Sequence, residues 1–247
     1  MSRTTPFVFD DIADAYDATR ALRPEIMEKV VDALSSEIDG TLLDVGVGTG
    51  RYAVPLSRRG IDVTGIDLSV KMTAQARAKG FHRVVLGDVA RMPFKNGAFD
   101  SGTMIHVLHL ILGWKGAVRE IARVLRGSLY TVASYRKPSL WSRNDYIQRV
   151  DDLGFGPAFP GLHEWEMADV IKPEKEKVIC IYNEELEADM LMGHIERREY
   201  SWATILPDRE HAQAIRELKE KWAGKTHRIE TTLKVLGWGK GALESVG

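Results

Sequence analysis

Three aspartates and two histidines stand where this chain could do chemistry. Asp44 closes an apolar run and is followed by Gly46, Gly48 and Gly50, which alternate with Val47 and Thr49. Asp67 lies 17 residues beyond Gly50, and Asp88 follows Gly87 and precedes Val89. His106 and His109 share the stretch MIHVLHLI. Glycines at a strand-to-helix turn let the backbone approach a ligand with no Cβ in the way. A carboxylate at a strand end can accept hydrogen bonds from both hydroxyls of a ribose, and another can accept from an exocyclic amine. A neutral imidazole can take a proton from an attacking hydroxyl or amine. Two histidines three apart could share a metal, but the neighbouring sequence offers no third ligand, so none is expected. Each feature also has a purely structural reading: a tight turn, an acid before a helix cap, a turn aspartate. Three acids, each ending a successive strand, go beyond that, because ligands of open α/β sheets bind beyond the carboxyl ends of the strands.

The elements that position these residues follow from periodicity. Leu42–Val45 predicts a strand and Tyr52–Arg58 a helix, with Pro55 early enough to be tolerated. Ile61–Ile66 alternates β-branched residues and predicts a second strand ending at Asp67. Ser69 is suited to cap a helix over VKMTAQARAK. Arg83–Leu86 predicts a third strand, Ala98–Ile105 contains a fourth, and Ser128–Ser134 is a fifth. Lys115–Leu125 is an amphipathic helix with Ala117, Ile121, Val124 and Leu125 on one face. Upstream, Phe9–Arg20 places Ile12, Tyr16 and Arg20 on one helix face. Pro24 opens a second helix, ended by Gly40. Strands alternating with helices of these lengths imply βαβ units, a mostly parallel sheet and helices on both faces.

After Pro138 the character changes. Ser139–Leu153 predicts a helix, Gly154–Gly161 a loop, and Lys177–Tyr182 a strand. Helices over Ala188–Tyr200 and Asp208–Ala223 follow, then a last strand over Arg228–Val235. Two helices standing where a hairpin would suffice suggest a lid or cap.

The bulk composition sets bounds. The chain has 247 residues, a net charge of −1, 44% apolar and 28% charged residues, values of an ordinary soluble globular protein. Near-neutral charge gives no global attraction for nucleic acid or anionic membranes. The one cysteine, Cys180, rules out a disulfide framework, and no cysteine near the motifs can attack a pyrimidine ring. The start MSRTTPFVFDD does not read as a signal peptide, and no window approaches the ~20 apolar residues of a membrane span. A cytoplasmic protein, without a membrane partner, is the expectation.

The glycine pattern chooses among ligands. A dinucleotide site wants G-x-G-x-x-G, and Arg51 stands where its last glycine would be. The pattern here is D-x-G-x-G-x-G. With LLDVGVGTGR, VTGIDLS, GDVARMPFKNGAFD and REIARVL in this order, the chain resembles the class I S-adenosylmethionine-dependent methyltransferases. Within them it resembles the broad group that includes the ubiquinone and menaquinone C-methyltransferases. The resemblance covers Phe9 to Ser134. It departs at Arg126-Gly127-Ser128, where the group commonly carries K-P-G-G, and it fades beyond Ser134.

The resemblance implies a doubly wound, seven-stranded, mostly parallel sheet with an antiparallel last strand. With the reading above, a helical cap is inserted in the C-terminal half. Residues 1–40 would be helices over the cofactor site, 41–136 the cofactor-binding core, and 137–247 the remaining strands plus a substrate-binding cap, all in one structural domain. It implies S-adenosylmethionine as cofactor, with S-adenosylhomocysteine as product. Gly46 and Gly48 would line the methionine moiety, Asp67 would bind the ribose and Asp88 with Val89 the adenine, while Asp44, Gly50 and Leu68 would also contact the cofactor. Tyr16, Arg20 and Ile105 would complete the cofactor contacts, with Arg20 free to pair with the cofactor carboxylate.

His106, just beyond the fourth strand and near its ordinary pKa, is the candidate general base. His109, Trp141, Phe155 and Trp202 are the candidate acceptor pocket. The expected reaction is methyl transfer to a hydroxyl, amine or carbon of a small apolar or aromatic acceptor, by a monomer or homodimer. Two alternatives stand: a methyltransferase for RNA or protein that needs a partner, and a non-catalytic module that binds S-adenosylmethionine. A dinucleotide oxidoreductase comes third.

Overall fold

The computed structural model describes residue 10 and residues 13–137, 142–155 and 159–246. Its seven strands are β1 (Thr41–Val45), β2 (Asp62–Asp67), β3 (Val84–Leu86), β4 (Ser101–Met104), β5 (Ser128–Lys137), β6 (Lys175–Glu187) and β7 (Thr226–Gly239). They form one sheet in the order β3-β2-β1-β4-β5-β7-β6. β1 pairs in parallel with β2 and β4, while β7 runs antiparallel between β5 and β6. The doubly wound sheet with an antiparallel last strand is therefore present.

The apolar run of β1 marks a strand covered on both faces, and Leu42, Leu43, Asp44 and Val45 are all buried. One core cluster holds Leu43, Val45, Ile66, Ile121 and Trp238, and another holds Val30, Leu34, Leu42, Leu56 and Val63. The first is built on α5 (Trp114–Val124), whose Ala117, Val118, Ile121 and Ala122 are buried. The second is built on α2 (Pro24–Ser35) and α3 (Ala53–Arg58). α1 (Ala13–Arg20) contains Tyr16 and Arg20 as expected, while Ile12 lies outside the described residues. Ser69 caps α4 (Val70–Ala78), its side chain accepting from the Met72 amide at 3.1 Å.

α6 (Ser142–Asp152), α8 (Ala188–Glu196) and α9 (Asp208–Trp222) share a third apolar cluster of Tyr146, Val150, Leu191, Ile195, Trp202, Ile215 and Leu218. α8 and α9 connect β6 to β7, so the chain does insert helices between its last two strands. Those strands are longer than the periodicity suggests. Their pairing runs out to Glu187 and Thr226, where the polar residues Glu184, Glu185, Arg228 and Glu230 read as loop. Two short helices were not legible: α7 (Glu164–Val170) and α10 (Lys240–Glu244). Gly40 does not close α2, which ends at Ser35; it turns the chain into β1. Among the described residues no helix is long and apolar enough to cross a membrane.

Candidate functional site

The glycine turn is built from the ends of β1 and β2. The amides of Gly46 and Val47 both donate to the Ile66 carbonyl, at 2.8 and 3.0 Å. Gly46 and Gly48 have φ of +71° and +53°, a region other residues enter at a cost. A Cβ on Gly46 would lie 2.3 Å from the Val107 side chain. The turn therefore has no room for any other residue at that position. Gly50 serves α3 instead, where a Cβ would meet Val54 at 2.9 Å.

Asp67 holds two loops at once. One carboxylate oxygen accepts from the Gly48 amide and the other from the Ser69 amide, both at 2.8 Å. Burial nevertheless raises its pKa. Leu68 beside it stays exposed. Asp44 is buried against β4, where the Thr103 hydroxyl donates to it at 2.8 Å. Burial pushes the Asp44 carboxyl up to about 7, and the nearby Asp67 adds to the effect. Asp88 is exposed beyond β3 and accepts from the Ala90 amide at 2.8 Å, while Val89 packs against the sheet core.

α1 lies over this turn. The Thr49 hydroxyl donates to Asp17 at 2.6 Å, Lys79 pairs with Asp17, and the Gln75 amide donates to the Ala13 carbonyl at 2.8 Å. Asp10 accepts from the Ser69 hydroxyl at 2.5 Å. Tyr16, Asp44, Gly46, Gly48, Ile105 and His106 thus line one cavity, together with Val47, Thr49, Arg51 and Tyr52. The Arg20 guanidinium stands 4.5 Å from the centre of the Tyr16 ring. Burial lowers the pKa of Arg20. Arg51 Nε is buried with no hydrogen-bond partner among the described residues.

His106 enters this cavity from a backbone with φ of +62°. An imidazole-bearing residue is strained there, and Glu164 at the start of α7 holds the loop. Its carboxylate accepts from the Val107 amide at 2.7 Å and the Leu108 amide at 3.4 Å. The ring is not near its ordinary pKa. Burial, then Arg51, Arg136, His163 and Arg20, push it down to about 3. His106 is neutral at physiological pH but a feeble proton acceptor, which corrects the ground on which it was chosen as base.

His109 does not reach the cavity lining. It is buried in an aromatic column, stacked on His163 at 4.7 Å and 21° and edge-on to Phe159 at 4.9 Å. The fold supplies what the local sequence lacked. His109, His163 and Glu164 each bring a possible ligand atom within 4.8 Å of the others. The His109 and His163 rings lie nearly parallel, and His163 stacks on Trp165 at 4.1 Å and 9°. The His163 amide donates to Glu166 at 2.7 Å. His109 Nδ1, His163 Nδ1 and one Glu164 carboxylate oxygen are buried with no hydrogen-bond partner among the described residues.

The model of a protein family described as "Methyltransferase domain" matches residues 43–130, which carry the glycine turn and both acid-bearing strand ends beyond it. With the sequence motifs, that match likens this region to the class I S-adenosylmethionine-dependent methyltransferases. The chain is 32% identical over 138 residues to a demethylmenaquinone methyltransferase of Beutenbergia cavernae, covering 53% of this chain and 58% of that protein. It is 32% identical over 149 residues to a malonyl-[acyl-carrier protein] O-methyltransferase of Serratia marcescens, covering 58% and 57%. The chain thus spans less than two thirds of these relatives. A solved S-adenosylmethionine-dependent methyltransferase of Thermotoga maritima shares the fold at a TM-score of 0.53 and 17% identity, over 94% of this chain and 98% of that one.

The residues present fit S-adenosylmethionine, the cofactor that the resemblance implies. The turn is stripped of side chains at Gly46 and Gly48, Asp67 borders it, and the orphaned Arg51 Nε awaits an acceptor. The acceptor side was less legible. Phe155 is exposed on the turn after α6 and is not among the residues lining this cavity. Trp202 is buried in the cap core and stacks behind Tyr200 at 4.8 Å and 7°. Trp141 lies outside the described residues. Sequence reasoning missed Thr49, Tyr52, Tyr200 and Glu164. Only Arg51 had left a signal, as the residue that breaks the dinucleotide pattern.

Proposed function

We propose that this chain transfers the methyl group of S-adenosylmethionine to a small acceptor beneath the helical cap. The observation that carries this reading is the cavity at the strand ends where Tyr16, Asp44, Gly46, Gly48, Ile105 and His106 meet. Gly46 and Gly48 would receive the methionine part, Asp67 the ribose, and Asp88 with Val89 the adenine. Arg20 and Arg51 would hold the cofactor carboxylate. The bound cofactor supplies an activated methyl on its sulfonium; the protein supplies alignment and a dry cavity. With its pKa near 3, His106 serves to position the acceptor through a ring nitrogen rather than to deprotonate it. The acceptor atom is then one that needs little help from a base: a carbon, an amine or an oxygen already ionised.

The match spans little more than half of these relatives, and their names give two different acceptors, so neither acceptor transfers here. The test is transfer of a labelled methyl from S-adenosylmethionine into fractions of an extract of the source organism. Label should enter the small-molecule fraction and fail to do so with Asp67→Ala. Label entering only protein or RNA would replace the small acceptor with a macromolecule.

A further inference from the structure

Three of the side chains with a buried, unpartnered polar atom stand together: His109, His163 and Glu164. Each offers a possible ligand atom within 4.8 Å of the others. Glu164 is only 1% exposed and His109 only 9%, so bulk water does not pair them. Nor do the unpartnered atoms bond to one another. Buried polar atoms are almost always paired, and three unpaired ones facing a common point mark the place of a missing partner.

Two segments far apart in the chain supply the three. His109 lies on the single turn Leu108–Leu110 after β4, while His163 stands at the cap of α7 and Glu164 at its first residue. The segments are already pinned to each other. One Glu164 oxygen accepts from the Val107 and Leu108 amides, and the Gly161 amide donates to the His109 carbonyl. A carboxylate held through one oxygen presents the other in a fixed direction, as outer partners do for metal ligands. Phe159 packs edge-on to the His109 ring and Trp165 stacks on that of His163. Burial keeps both imidazoles neutral at physiological pH, the form with a lone pair to give. Arg143 acts on both rings, and against it stand the carboxylates of Glu164 and of Glu166, which accepts from the His163 amide.

We propose that His109, His163 and Glu164 form a site for a divalent first-row transition-metal ion, with water completing its coordination. Two imidazoles and a carboxylate are a donor set of three-ligand zinc centres, whereas Mg²⁺ and Ca²⁺ prefer oxygen throughout. Zinc bonds of about 2.0–2.2 Å place tetrahedral ligand atoms roughly 3.3–3.6 Å apart, so the three side chains close by ~1.5 Å at most. The rings, 21° from parallel, turn so that both lone pairs converge. Bound there, the ion fastens the segment that follows His106 to α7. It acts on the cavity through the backbone and not by touching an acceptor.

The experiment is titration of the full, untagged, chelator-treated chain with Zn²⁺, read by calorimetry and by metal analysis after dialysis. One ion per chain should bind at about micromolar affinity or tighter. Co²⁺ in its place should give the intense visible bands of a four-coordinate ion. His109→Ala should weaken Zn²⁺ binding by at least ~100-fold, the upper end of what loss of an outer partner costs. His163→Ala, at a partly exposed position, gives the same readout if His109→Ala fails to fold. Glu164→Gln keeps an oxygen for the Val107 and Leu108 amides but loses the charge. It should weaken Zn²⁺ by at least ~10-fold while the metal-free chain unfolds at the parental denaturant midpoint. His194→Ala, which removes the histidine paired with Glu199, should change nothing. Substoichiometric binding at micromolar Zn²⁺, binding untouched by the His109 and Glu164 variants, or binding lost in His194→Ala overturns the proposal. Titration with S-adenosylhomocysteine bears on the methyl-transfer reading alone, so the two can fail separately.

Discussion

Asp44 shows how the site works against the stability of its own fold. The carboxyl is buried beneath the glycine turn and held up near 7, so ionising it at neutral pH costs free energy that no cation beside it returns. An acid whose folded pKa is raised stabilises the fold only at low pH; that stability is lost as pH rises from about 4 through about 7. Asp44→Asn keeps the acceptor for Thr103 and removes the penalty. It should raise stability at pH 8 by about 1–3 kcal/mol, seen as a melting temperature several degrees higher, while weakening cofactor binding. The histidines act in the opposite sense. His106 and His163 are held down to about 3 and about 4, against an ordinary 6.5 in the unfolded chain. Their contribution is present above pH 6.5 and lost as pH falls towards 4, because the unfolded chain takes up protons that the folded one refuses. An NMR titration should find no His106 protonation above pH 5 in the free protein; a midpoint near 6.5 would contradict a buried imidazole at this position. At this scale the sequence was informative wherever a residue type is forced by backbone or charge, as at Gly46, Gly48 and Asp67. It was silent where an effect comes from surroundings, as with the depression of His106 by burial and by arginines elsewhere in the chain.

Among the elements, the loop after β4 depends on a helix that begins more than fifty residues later. Glu164 at the start of α7 takes the amides of Val107 and Leu108, and the Gly161 amide donates to the His109 carbonyl at 2.9 Å. A Cβ on Gly161 would come within 2.1 Å of the Leu108 carbonyl, so the two loops are pressed together there. Removing the carboxylate leaves buried amides unpaired. Glu164→Ala should cost about 2–4 kcal/mol in denaturant unfolding and lower turnover, because the His106 backbone loses its support. Glu164→Gln keeps an acceptor oxygen and should stay within about 1 kcal/mol of the parent. Equal effects of the two would show that side-chain volume, and not the clamp, is what matters. The βαβ elements were legible because their apolar periodicity is local and strong. α7 was not, because seven residues with Glu164, Glu166 and Asp169 among them carry little of it, and its role is set by a long-range contact.

At the scale of the whole molecule, the strand ends of the sheet and the N-terminal helix meet around one cavity. α1 is fastened to the glycine turn through Asp17 and Thr49, and to α4 through Lys79 and Gln75. Both the sheet and α1 should therefore be stabilised by the cofactor. At a ligand concentration of 100 times Kd the gain is about 2.7 kcal/mol, or roughly 5–10 °C in melting temperature. The half of the chain that binds cofactor was readable because that chemistry is written at strand ends in fixed order. The cap was readable only as an insertion, since which of its aromatics face the site depends on packing; Phe155 turned outward and Trp202 inward. The account stands or falls on the cofactor site. The direct test is calorimetric titration of S-adenosylhomocysteine into the wild-type chain and into Asp67→Ala. Micromolar binding to the wild type with severe weakening in the variant is the predicted result. No binding to the wild type, beside tight binding of NADH, would contradict it.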